Sequence, residues 1–137
     1  MKKFFVQFLL LFVSFCFFTY ISCTKSSVEN KLQGKWKYVN VENFYDTTYV
    51  EDWEFKSGGE LIIHYRDLQW MGNPDTVVEY KGFYSMDSYE KFTVSGIENP
   101  HLPYYNCQWE IVKMNNNILM IVNNVEGGLY FREFSML

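Results

Sequence analysis

Few side chains in this sequence have the chemistry of a catalyst, and their spacing does not gather them. The only histidines are His64 and His101, and no His-x-His, His-x-x-x-His or Cys-x-x-Cys spacing exists to hold a metal ion. Nucleophile elbows and phosphate-cradling glycine motifs are absent as well; Gly58-Gly59 and Gly127-Gly128 read as hairpin glycines. Carboxylates are plentiful, at 16 Asp and Glu, but glycosidase chemistry needs two of them at a set distance that no motif here imposes. The expectation is a protein that is not an enzyme and that carries no metal and no cofactor. Cys107 is expected to be a small buried hydrophobe, His64 an exposed side chain and His101 a loop residue between Pro100 and Pro103.

Binding chemistry is better represented. Aromatic residues make up 20% of the chain, and many carry a polar tip that suits a pocket as well as a core. Strand alternation sorts them onto faces. Tyr49, Glu51, Trp53 and Phe55 share one face of a strand, against Val50, Asp52, Glu54 and Lys56. Leu61, Ile63 and Tyr65 oppose Ile62, His64 and Arg66. Val78, Tyr80, Gly82, Tyr84 and Met86 form a third apolar face, and Tyr105, Cys107, Trp109 and Ile111 a fourth. A cavity lined by Trp53, Tyr65, Tyr80, Tyr84 and Trp109 would take a small hydrophobic ligand, with Glu51 available to orient its polar group. The alternative is an interior filled by these same rings. Glu51 could equally lie near the barrel mouth, solvated; a carboxylate inside would need a partner or a raised pKa.

The elements that must position these residues are strands. Runs rich in β-branched and aromatic residues, separated by turn residues, predict strands at about 35–43, 48–56, 60–66, 76–86, 89–95, 104–114, 117–123 and 128–135. Ser57-Gly58-Gly59, Met71-Gly72-Asn73-Pro74-Asp75 and Asn115-Asn116-Asn117 supply the breaks. The interval 96–103, with Pro100, His101 and Pro103, is the longest expected loop and the surface expected to meet a protein partner. Short turns throughout argue an all-β, eight-stranded antiparallel up-and-down barrel, whose closure removes exposed edges. A β-sandwich is the other arrangement these strands allow.

The chain begins as an export signal, with Lys2 and Lys3 ahead of an apolar run from Phe4 to Ile21. Gln7, Ser14 and Thr19 dilute that run, which argues against an uncleaved membrane span. Tyr20-Ile21-Ser22-Cys23 resembles a lipobox, with Tyr20 where the pattern carries leucine. That resemblance implies a lipoprotein signal peptide over 1–22, acylation of Cys23, and localisation to the bacterial cell envelope on a periplasmic or outer-membrane face. Residues 23–30 then form the lipidated cysteine and a tether, in which Ser26 and Glu29 have the spacing of a capping box for one short helical turn. Cys16 leaves with the signal, so Cys107 has no partner for an intrachain disulfide. The formal net charge of −4 becomes more negative without Lys2 and Lys3, and no basic cluster follows. Nucleic acid is therefore not an expected partner.

Residues 31–137 form the single folded domain. They open with Leu32, Gly34 and Trp36 in a Leu-x-Gly-x-Trp pattern, and the last strand carries Arg132 between Tyr130 and Phe134. On these anchor points the chain resembles lipocalins, and in particular the compact lipocalin-like domains of bacterial lipoproteins. The resemblance implies a ligand-holding barrel, with Arg132 packed over Trp36. It also implies that a helical turn before Leu32 covers one end of the barrel. Two functions are compatible with these observations: a membrane-anchored binding protein for a small hydrophobic ligand, or a solidly packed barrel acting as a protein–protein interaction module of the envelope.

Overall fold

Each strand-forming run pairs with its neighbour in sequence, and the last returns to the first. In this computed structural model, residues 25–39, 49–67, 77–98, 105–125 and 128–137 are described. The strands are β1 (Gly34–Tyr38), β2 (Tyr49–Phe55), β3 (Glu60–Asp67), β4 (Val78–Met86), β5 (Lys91–Ser95), β6 (Gln108–Met114), β7 (Ile118–Val125) and β8 (Gly128–Met136). All neighbours are antiparallel. Pairing of β1 with β8, through Trp36 with Met136 and Tyr38 with Phe134, closes the barrel and rules out a sandwich. The export segment, Cys23, the Met71–Asp75 turn, His101 and the far end of the first expected strand lie outside the described residues.

Several boundaries differ from the expected ones, and two of them have evident local reasons. The sixth strand begins at Gln108 because Tyr105 is in 3₁₀ conformation, the chain bends at Asn106 and Cys107, and Asn106 turns its side chain onto Ile97. The Asn106 amide donates to the Ile97 carbonyl at 2.7 Å, and its Oδ1 accepts from the Ile97 amide at 2.9 Å. The fifth begins at Lys91 because the amides of Asp87 and Ser88 both donate to the Lys91 carbonyl, which ties residues 87–90 into a turn.

A helix over residues 25–32, α1, replaces the single expected turn and takes up most of the expected tether. Val28 and Leu32 are four residues apart, so both face the core from α1, and Leu32 is fully buried. The Trp36 indole donates to the Leu32 carbonyl at 2.8 Å, occupying one of the carbonyls that a helix end leaves unpaired. Gly34 then takes φ +133° as the chain swings into β1, and a Cβ there would press on Met136 at 3.2 Å. That is the physical role of the motif's glycine.

The barrel has two distinct ends. At one, α1 and the short turns 56–59, 87–90 and 115–117 come together. At the other, β1, β3, β5 and β7 end and β2, β4, β6 and β8 begin; the first three of these pairs are joined by the long connections 39–48, 68–77 and 96–107. Alternation holds along most of the strands, and Trp36, Trp53, Phe55, Leu61, Ile63, Phe92, Trp109, Leu119, Ile121 and Phe134 are all buried in one interior core; it breaks at Ile62, which is buried from the expected outer face, and at the register shift between Ile111 and Lys113 of β6.

Candidate functional site

Trp53 sits at the centre of the interior because β2 alternation points it inward beside Trp36 of β1 and Ile63 of β3. The rings of Trp109, Phe134, Tyr105 and Phe55 surround it, with centroids 5.3, 5.5, 5.8 and 5.9 Å away. These rings come from β2, β6, β8 and the turn before β6, so they bridge the barrel from wall to wall. The Trp109 indole is fixed by donating to the Tyr105 carbonyl at 3.2 Å. Tyr84 belongs to the helix-covered end, where its hydroxyl donates to the Lys56 carbonyl at 3.0 Å and its ring meets Phe55. Burial raises the Tyr84 phenol above its ordinary pKa.

One step from Trp53 toward the long connections, the interior becomes polar. Glu51 is 0% exposed. One of its oxygens accepts from Arg132 Nε at 2.6 Å, and the other accepts from the Tyr105 hydroxyl. The Arg132 guanidinium, 13% exposed, also lies over the Tyr38 ring at 5.5 Å. A buried carboxylate costs several kcal/mol unless it is paired, so these contacts are what make Glu51 tolerable there. The three partners come from β2, β8 and the β5–β6 connection, and the cluster carries no net charge.

The ring beneath Arg132 is that of Tyr38 rather than the expected Trp36, and the register explains why. Phe134 is opposite Tyr38 and Met136 opposite Trp36, so Arg132 is one inward position beyond Tyr38 and two beyond Trp36. Trp36 serves α1 instead.

The remaining candidates divide by depth. Tyr65 and Tyr80 stand on adjacent strands toward the long connections, half-buried, with ring centroids 6.1 Å apart. Cys107 is also half-buried: the Asn123 amide approaches its sulfur at 3.1 Å, while burial raises the thiol pKa and disfavours the reactive thiolate. His64 is less exposed than expected, at 15%, because its ring is held on the outer wall between Glu54 at 3.0 Å and Glu79 at 3.5 Å. Among the described residues no group of His, Cys, Asp and Glu is arranged to hold a metal ion. Among them, too, no helix is long and apolar enough to cross a membrane.

The sequence named Glu51, Trp53, Tyr65, Tyr80, Tyr84 and Trp109 as one lining. The fold instead makes Trp53 and Trp109 part of a packed layer, assigns Tyr84 to the covered end and brings Glu51, Tyr65 and Tyr80 toward the other. Tyr38 and Tyr105 were missing from that set. Alternation alone had marked Tyr105 as inward, but the turn that aims it at Glu51 has no such signal. Neither any protein-family model nor any curated protein sequence matches this chain.

Proposed function

We propose that this chain is an exported lipoprotein, acylated at Cys23, whose lipocalin-like barrel binds a small, largely apolar ligand without turning it over. The observation that carries the ligand-binding reading is the Glu51–Arg132–Tyr105 cluster, buried inside the barrel beside the long connections. Apolar residues of similar volume would hold a mere scaffold together as well or better, so a buried ion pair is poorly explained by stability alone. It supplies a neutral, hydrogen-bonding floor on which a ligand's polar group rests, while Tyr65 and Tyr80 offer apolar flanks and hydroxyl tips. The ligand is small because the layer around Trp53 already fills the middle of the barrel. The export run and the lipobox-like Tyr20–Cys23 support the anchored location.

The packing of Trp53 favours a second reading, in which the barrel is solid throughout and the loop 96–103 contacts another envelope protein. Titration with the apolar fluorophore 1-aminoanthracene separates the two. Saturable binding is expected, weakened about tenfold, or about 1.4 kcal/mol, by Tyr65→Ala or Tyr80→Ala and unchanged by Tyr84→Phe. No saturable binding to the folded wild type would favour the solid barrel.

A further inference from the structure

Residues 25–30, which the sequence offered as a tether, are helical, and α1 is packed on the barrel through Val28 and Leu32. Only Thr24 stands between Cys23 and α1. An extended chain spans at most about 3.6 Å per residue, so Cys23 stays within about 7 Å of Lys25. Val28 and Leu32 lay α1 against the end of the barrel that also carries the 87–90 turn. The short link ties Cys23 to the helix-covered end, whose 87–90 turn leaves Tyr89 58% exposed. A second exposed apolar side chain at this end is Leu137, 66% exposed, whose amide donates to the Lys35 carbonyl at the start of β1.

We infer that the barrel docks on the lipid bilayer by its helix-covered end, with Tyr89 in the headgroup region and the long connections directed away from the membrane. This rests on acylation of Cys23. With so little free chain, the acyl groups cannot enter a bilayer while the opposite end of the barrel faces it. Tyrosine suits the site, since its ring favours the boundary between hydrocarbon and water. Charge contributes little: Lys25 and Lys31 are offset by Glu29, Asp87 and Glu90. The acyl chains supply the affinity and Tyr89 helps set the orientation.

The test is hydrogen–deuterium exchange of the full acylated chain on phosphatidylethanolamine–phosphatidylglycerol vesicles, against the soluble Cys23→Ser chain. Its mass is measured first. Amides in turns 56–59, 87–90 and 115–117 should exchange about three- to tenfold more slowly on vesicles. Those at 77–78, 96–98 and 128–129 should not change. In acylated Tyr89→Ser, protection of 87–90 should fall toward the soluble value while vesicle binding persists. Acylated protein with uniform protection, or with protection at the long connections, would overturn the orientation and leave the anchor standing. An absent acyl mass would overturn the anchor, and the orientation with it.

Discussion

Glu51 and Arg132 are held to each other inside the barrel, so each is worth most to the protein as the other's partner. Removing one leaves a buried charge without its counterion. Arg132→Met should therefore cost about 3–5 kcal/mol in urea unfolding, and pairing it with Glu51→Leu should recover much of that loss. Additive losses in the double variant would show that the two are not coupled. On the outer wall, the His64 hydrogen bond lowers the Glu54 pKa, with smaller help from Lys56 and Lys35. A carboxyl lowered in the folded state stabilises the protein above its unfolded pKa, and the contribution is lost as pH falls through the folded one. Below about pH 4.3, the ordinary glutamate value, His64→Ala should thus flatten the decline of stability expected of the wild type. An unaltered acid limb would remove His64 from that role. The inward direction of Glu51 was legible from its place between Tyr49 and Trp53. Its partner was not, because 81 residues separate Glu51 from Arg132 and only strand register brings them together.

Strand order and most strand limits could be read from turn residues and aromatic alternation, since those signals are local. The departures are where side chains intervene. Asn106 pins the base of the β5–β6 connection and delays β6, and burial of Val28 and Leu32 extends α1 beyond what its capping residues suggest. The tight β2–β3 turn illustrates how a glycine signal becomes a steric requirement. Gly59 has φ +82°, its carbonyl accepts from the Tyr84 amide at 2.7 Å, and a Cβ would lie 2.8 Å from the Tyr84 carbonyl oxygen. That oxygen belongs to β4 and cannot swing aside like a side chain. Gly59→Ala should cost about 1–3 kcal/mol in thermal or urea unfolding. Gly58 has a similar φ but open space around it, so Gly58→Ala should cost less. Equal losses at the two positions would assign the effect to backbone strain alone.

At the scale of the whole molecule, closure by β1 and β8 leaves a barrel with unlike ends. One end is covered by α1 and packed by Phe55, Tyr84 and Leu32. Toward the other, the interior holds a paired carboxylate and guanidinium, Glu51 and Arg132. Composition suggested a ring-rich interior, yet could not say whether the rings lined a space or filled it. Trp53 answers for the middle layer, where neighbouring rings meet it across the full width. On the proposed reading the protein is an anchored carrier whose binding end is remote from the membrane. Its most direct test is native mass spectrometry of the mature chain, expressed with its own export segment in a bacterial host and compared with the same sample denatured. Two added masses are predicted: an acyl mass that survives denaturation, and a smaller ligand mass that is lost with it. An acylated protein that carries no second mass under native conditions would contradict the carrier and leave a solid, membrane-anchored barrel.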